Sequence, residues 1–266
     1  MTKIEWTDVT WNPVAGCSVM SAGCTNCYAM KMAKRLEAMG VEKYRGLTKT
    51  VNGNAIWTGA IKEDHSALGA PLNWKKPKNI FVNSMSDLFH ADVTESFIAE
   101  VWQVMGHTPH HNYQILTKRP DRMLEILSRN KHGVLPNVWL GTSVENSDVI
   151  SRIDYLRDVP AAIRFISFEP LIGDVGHVNL TGIGWAIVGG ESGHKARPMH
   201  PDWARSLRDQ CKAASVPFFF KQWGAFAPVV EYPSGKHSMN KVGKKRAGRL
   251  LDGVEHNAFP EVPPCK

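Results

Sequence analysis

Apolar residues along the chain follow two alternating rhythms. Short stretches are apolar at nearly every position, and between them apolar residues recur at every third or fourth place. Asn79-Ile-Phe-Val-Asn83, Tyr113-Gln-Ile-Leu-Thr117, Val138-Trp-Leu-Gly-Thr142, Arg164-Phe-Ile-Ser-Phe168, Trp185-Ala-Ile-Val-Gly189 and Pro217-Phe-Phe-Phe-Lys221 are of the first kind. Runs of this length predict parallel strands buried on both faces. Ile4 to Trp11 alternates roughly and predicts a first strand, and Trp57-Thr-Gly-Ala-Ile61 predicts a short second one. After Tyr28 the helical spacing of Ala29, Met32, Ala33, Leu36 and Met39 predicts a helix that Gly40 stops. Further helices are predicted behind a capping pair in Asp92-Val-Thr-Glu95 and behind Pro120 and Asp121. Two more run through Val149, Ile150, Ile153 and Leu156, and through Trp203, Leu207 and Cys211, which makes Cys211 a core residue. Strand and helix alternating over this length predict an α/β fold, a parallel (β/α) barrel, complete or partial, with right-handed crossovers. A doubly wound open sheet is the alternative.

The polar residues sharpen that picture. Nearly every predicted strand ends in a polar cluster: Asn83-Ser-Met-Ser-Asp87, Thr117-Lys118-Arg119, Thr142-Ser143-Val-Glu145-Asn146, Glu169-Pro170, Gly189-Gly-Glu191-Ser-Gly193 and Lys221-Gln222-Trp223. In a parallel barrel these ends share one rim, where active sites are built from strand-end loops. The first strand leads into a loop of different character. Cys17, Cys24 and Cys27 place three of the five cysteines at C-x6-C-x2-C spacing, with Gly16 and Gly23 to turn the chain. Three thiolates can converge on one soft metal centre. A structural zinc site closes with a fourth Cys or His, and a conventional ferredoxin cluster takes four cysteines. Here the nearest downstream histidine is His65, so three ligands leave a metal position open to a small molecule. Cys27 opens the predicted helix, whose first amides favour a negatively charged cluster.

Length and charge add less. A chain of 266 residues, 43% of them hydrophobic, can bury a barrel-sized core. No apolar run reaches membrane-spanning length and the N-terminus lacks the apolar core of a signal peptide, so a cytoplasmic protein without membrane contact is expected. Clustered thiols suit that reducing compartment. The net charge of +7 favours an anionic partner, nucleic acid or a nucleotide first. Much of the excess lies near the end, which divides the chain into a barrel with its cysteine loop, residues 1–230, and a basic C-terminal arm, residues 231–266. That arm reads as a strap over the barrel, a lid or a backbone-binding segment. Gly189-Gly-Glu-Ser-Gly193 is too short for a phosphate cradle, and the histidines read as loop and surface residues.

Taken together, these stretches carry a resemblance. A first strand, a three-cysteine loop, a helix after the third cysteine and a barrel with polar strand ends resemble the radical S-adenosylmethionine superfamily. More closely, the chain resembles an uncharacterised family of phage and prophage proteins within or beside it. Trp11-Asn-Pro, Gly16-Cys17 to Cys27-Tyr28, Leu116-Thr-Lys-Arg-Pro120, Ser167-Phe-Glu-Pro-Leu171 and Phe220-Lys-Gln-Trp-Gly224 carry that likeness. The superfamily's usual spacing is C-x3-C-x2-C with an aromatic residue before the third cysteine. Here the first gap is six residues, Asn26 holds the aromatic position and Tyr28 follows.

The resemblance implies a radical S-adenosylmethionine enzyme on a TIM-type barrel. Cys17, Cys24 and Cys27 would ligate three irons of a 4Fe-4S cluster and S-adenosylmethionine the fourth. One electron, from a donor such as flavodoxin or ferredoxin, would cleave a carbon–sulfur bond, and a 5′-deoxyadenosyl radical would take hydrogen from the substrate. Tyr28 is expected to face the adenine, Lys118 and Arg119 the cofactor's carboxylate, and Ser84, Ser143 or Asn146 its ribose hydroxyls. Asp87, Glu145, Glu169, Glu191 and Lys221 remain for substrate contact or proton handling. The expected substrate is a nucleobase, nucleotide or nucleic acid, in phage-related modification or repair. The residues leave a second reading open: a zinc-containing nucleic-acid-binding protein without catalytic activity.

Overall fold

In the computed structural model, which describes residues 4–129, 133–231 and 236–261, all six near-continuous apolar runs are strands lying side by side. They are β2 (Asn79–Val82), β3 (Asn112–Thr117), β4 (Val138–Ser143), β5 (Ile163–Phe168), β6 (Trp185–Gly189) and β7 (Phe218–Gln222). With β1 (Val9–Trp11) they form one all-parallel sheet in which each strand neighbours the next in chain order. An order without reversal sends every crossover the same way, so the sheet curls as a half barrel with β1 and β7 at its edges. The doubly wound alternative requires a switch point where the order reverses, and this sheet has none.

Helices α1 (Tyr28–Ala38), α2 (Glu95–His107), α3 (Pro120–Ser128), α4 (Arg152–Asp158) and α5 (Pro201–Ala213) follow strands as predicted. Gly40, at φ 80°, supplies the left-handed residue that ends α1. The cap of α2 is Thr94, whose hydroxyl accepts from Phe97 N at 3.2 Å, not the expected Asp92–Glu95 pair. Residues alternate between the two faces of each strand. Ile80, Ile115, Leu140, Ile166, Val188 and Phe220 pack outward with Val101, Met123, Ile153, Leu207 and the fully buried Cys211 of the helices. Phe81, Trp139, Phe165, Trp185, Ile187 and Phe219 fill the concave face. A Cβ on Gly141 would stand 2.6 Å from the Phe165 ring, so this glycine makes room for the aromatic floor. Burial on both faces is why the strands read as unbroken apolar runs.

Two expected strands turn out differently. Of Ile4 to Trp11 only the last three residues are strand; Trp6 instead joins the concave aromatic cluster, and its carbonyl accepts from Gln114 Nε2 at 3.2 Å. The alternation there marked a plug for the barrel floor. Of the expected strand Trp57–Ile61 only Trp57 is strand, as the last residue of Asn54–Trp57, which pairs with Thr48–Val51 in an antiparallel hairpin apart from the main sheet. Near the end of the chain, residues 256–258 run along the free edge of β7. Asn257 bridges Phe219, and Phe220 N donates to His256 O at 2.9 Å. That covering satisfies edge groups otherwise open to another chain. Lys244, earlier in the same arm, pairs with Glu5 at 2.9 Å and ties the arm to the start of the chain. Cys265 lies outside the described residues. Among those residues no helix is long and apolar enough to cross a membrane.

Candidate active site at the strand ends

The cysteine loop leaves β1 through Val14–Ala15, which pairs with Lys62–Glu63 and fixes its entry. At Gly16, φ is 93° and a Cβ would meet Ala60 O at 2.2 Å, so only glycine fits the turn into Cys17. A single helical turn, Ala22–Cys24, follows, and Cys27 is the residue on which α1 begins. All three cysteines line one cavity of about 300 Å³ at the carboxyl ends of the parallel strands. Burial pushes the Cys17 thiol up to about 12, Asp87 adding to the shift and Arg119 opposing it. Burial also raises Cys27, against the first amides of α1. Cys17 and Cys27 therefore hold their protons more tightly than an ordinary thiol, and a metal must displace those protons to bind.

Three carboxylates from three strand ends hold this loop. Asp87 accepts from Thr117 Oγ1 at 2.7 Å, Lys118 N at 3.2 Å and Arg119 Nη1 at 2.7 Å. Arg119 in turn donates to Ser18 Oγ at 2.7 Å, with Nη1 3.9 Å from Cys17 Sγ. Glu145, with no exposed surface, accepts from Ser21 Oγ and, at 3.1 Å, from Gly23 N. Arg152 at 2.9 Å and Lys118 at 3.7 Å neutralise it from behind. Burial opposes its ionisation, but Lys118, Ser21, Arg152 and Gly23 together keep it below the usual carboxylate range. A Cβ on Gly23 would stand 2.7 Å from Glu145 Oε1, so this glycine is what lets loop and carboxylate meet. Glu191 pairs with Arg197 at 2.6 Å and accepts from Asn26 Nδ2 at 3.0 Å. Arg197 and Asn26 hold it, too, below the usual range against the cost of its burial. Each cysteine thus has a braced neighbour: Ser18 beside Cys17, Gly23 beside Cys24 and Asn26 beside Cys27.

The structure places the other predicted site residues unevenly. Tyr28, Ser84, Lys118, Ser143, Glu169 and Lys221 line the cavity together with Asp87, Arg119 and Glu191. Tyr28 donates to Ser84 O, and Ser84 Oγ donates to Asn12 Oδ1 at 3.1 Å. Glu145 and Asn146 lie off the cavity surface, the first behind the loop and the second turned to Asp148 at 2.8 Å. Arg119 is committed to Asp87 and Ser18, which leaves Lys118 as the cation with the looser tie. Sequence reasoning missed Ser18, Ser21, Asn26, Arg152 and Arg197, the partners of the braces, and Trp6, part of the floor. Nothing local marks them, because each matters only through a residue remote along the chain.

The donor set can be tested against the cofactor expected here. Among the described residues no three His, Cys, Asp or Glu side chains stand close enough together to hold a single metal ion, and no histidine or fourth cysteine lines the cavity. Three cysteines that line one cavity with no histidine or fourth cysteine among its described lining residues lack the fourth ligand of a closed tetrahedral single-ion site. A family model described as "Protein of unknown function (DUF5131)" matches residues 1–260. No curated protein and no solved structure matches the chain.

Proposed function

For a chain that belongs to the DUF5131 family, we propose a radical S-adenosylmethionine enzyme that acts on a nucleobase, nucleotide or nucleic acid. The observation that carries the reading is the meeting of Cys17, Cys24 and Cys27 at one cavity over the carboxyl ends of a parallel half barrel, with no fourth Cys or His among the described lining residues. When bound, a 4Fe-4S cluster ligated by these cysteines would supply, with an electron from a donor such as flavodoxin or ferredoxin, the reductive cleavage of S-adenosylmethionine that yields a hydrogen-abstracting 5′-deoxyadenosyl radical. The chain's own residues bind, orient and exclude water. Asp87, Glu145 and Glu191 hold the cysteines in place through Arg119, Gly23 and Asn26. Lys118, at the cavity wall and only loosely tied to Glu145, is placed to meet a carboxylate. Tyr28, Ser84 and Ser143 offer an aromatic face and hydroxyls to an adenosine. The aromatic floor closes the cavity from below.

Anaerobic reconstitution with iron and sulfide tests this. A brown protein with a 4Fe-4S spectrum, whose magnetic resonance signal changes on adding S-adenosylmethionine and which releases 5′-deoxyadenosine under dithionite, is the expected result. A colourless protein that retains one equivalent of zinc and cleaves nothing would overturn the proposal.

A further inference from the structure

One side of the cavity mouth is bordered by cations that no carboxylate answers. Three elements meet there. Tyr28 and Ala29, in the first turn of α1, line the cavity, as do Trp57, which ends the Thr48–Trp57 hairpin, and Ser192, after β6. Asn26 Nδ2 donates to Lys195 O at 2.9 Å and ties the loop after β6 to the residue beside Cys27. These elements carry Lys31 and Lys34, neighbours on α1, and Lys195. Lys241 joins them from the arm, where Phe226–Glu231 pairs with Lys236–Lys241. Lys34 Nζ donates to Thr50 Oγ1 at 2.5 Å, Lys195 Nζ to Asn54 Oδ1 at 3.0 Å and Lys241 Nζ to His194 O. Lys31 Nζ lies 4.0 Å from where a Cβ on Gly193 would stand.

Each of these three hydrogen bonds ends on a neutral oxygen, so the lysine is held in place and its charge is not cancelled. Among the described residues the lysines with carboxylate partners are others: Lys43, Lys118, Lys221 and Lys244. The chain supplies little to pair with. Across residues 28–38, 48–57, 192–196 and 236–249 the single acid is Glu37, and its Oε1 accepts from Gly46 N at 2.7 Å. The cavity behind this lip is the opposite. Among its described lining residues each lysine or arginine already faces a carboxylate: Lys118 faces Glu145, Arg119 faces Asp87 and Lys221 faces Glu169. A phosphate would find no uncompensated cation inside and four at the lip.

Resting on the reading of the protein as an enzyme for nucleobases, nucleotides or nucleic acids, we infer that Lys31, Lys34, Lys195 and Lys241 bind the phosphate backbone of a nucleic-acid strand. The substrate is then a base carried by a polynucleotide and not a free nucleotide. A single nucleotide brings its phosphates to one point, whereas a strand brings one phosphate per residue and can answer all four cations at once. The backbone runs over the lip while one base turns into the cavity. Contacts of this kind position the strand and carry no base preference. An acidic electron carrier could also answer four lysines, but seated there it would cover the opening through which the substrate enters.

The test is fluorescence anisotropy on the full chain, both reconstituted anaerobically with iron and sulfide and iron-free. The probe is a labelled single-stranded oligonucleotide of about 20 nucleotides, titrated at several salt concentrations. The logarithm of the binding constant should fall against that of salt with a slope of about −2.8, from about 0.7 for each of four phosphates. Lys31→Gln, Lys34→Gln, Lys195→Gln and Lys241→Gln should each reduce the slope by about 0.7, and the four together should remove most of it. Lys75→Gln and Lys76→Gln are the controls: these exposed lysines precede β2, at the end of the sheet away from the cavity, and should change nothing. A nucleoside monophosphate should bind at least about 100-fold more weakly than the strand. Absence of strand binding at low salt, controls that weaken it as much as the lip variants do, or a mononucleotide that binds as tightly would overturn the inference. So would lip variants that leave the strand untouched but slow reduction of the cluster by flavodoxin, which assigns the face to an electron carrier. Should the fourfold variant fail to fold, the single variants against the two controls decide. Cluster formation and 5′-deoxyadenosine release in a chain whose strand binding ignores the lip would sink this inference alone. Lip-dependent strand binding in a chain that takes up no cluster would instead sink the radical reading.

Discussion

The cavity has two walls made in different ways. On the cysteine wall, a loop with only one short helical turn of its own is held by carboxylates from the ends of three strands, Glu145 and Glu191 contacting a residue adjacent to a cysteine directly and Asp87 through Arg119. On the facing wall Glu169 and Lys221 hold each other and Ser167. The difference follows from what each surface must do. A loop that presents three sulfurs in one arrangement gains from a satisfied, buried hydrogen-bond network, which is costly to rearrange. A surface that receives a ligand needs groups whose partners can be exchanged. Glutamates of identical chemistry therefore stand behind the loop as a brace at position 145 and at the cavity surface at position 169.

The contrast can be broken first at the sulfurs. Cys17→Ala, Cys24→Ala and Cys27→Ala should each abolish retention of a 4Fe-4S cluster, read as iron per chain and visible absorption. The half-buried Cys17 and Cys27 should be lost with little change in melting temperature. Next in size is Glu145→Gln, which leaves Arg152 and Lys118 without their buried counter-charge and should cost about 3 kcal/mol in denaturant unfolding. Glu169→Gln, at a pair that keeps some exposure on both sides, should cost less than Glu145→Gln. Equal costs would erase the distinction between the walls. Gly23→Ala drives a methyl against Glu145 and should destabilise by about 1–3 kcal/mol while loosening iron retention.

The smallest effect is on acid stability. Glu145 and Glu191 titrate in the folded protein below the ordinary value of 4.5. Their ionised contacts therefore stabilise the fold above that value and are lost as the pH falls through the depressed ones. Melting temperatures measured from about pH 6 to about pH 3 should drop, and the drop should be shallower in Glu145→Gln.

Much of the architecture was legible along the chain. Trp185–Gly189 is a strand over the residues predicted, and Tyr28–Ala38 is the helix expected after the third cysteine. Cys211 is fully buried, as its helical spacing required. Two segments misled. Ile4 to Asp8 alternates because Trp6 must reach the barrel floor, not because the segment pairs with a strand. Of Trp57–Ile61 only Trp57 is strand, and it closes a local hairpin with Thr48 instead of joining the main sheet. At the site, the polar strand ends were visible as a group and nearly all of them reach one cavity. Their division into braces and cavity-facing groups was not visible, since Asp87, Glu145 and Glu169 all follow the same rule of an acidic residue after a strand end while pointing to different neighbours.

By itself the sequence determined which stretches would be strand and helix, that the strands would be buried on both faces, and that one loop would carry three thiols. These are local properties, set by apolar periodicity, glycine positions and residue chemistry within a few places of each other. Tertiary structure alone decided that the strands follow one another without reversal, and which carboxylate faces which partner. Glu145 meets Gly23 across 122 positions and Glu191 meets Asn26 across 165. Contacts so remote arise only when the sheet curls and brings its strand ends onto one rim, because hydrogen bonds depend on ångström distances in space and leave no period in the chain.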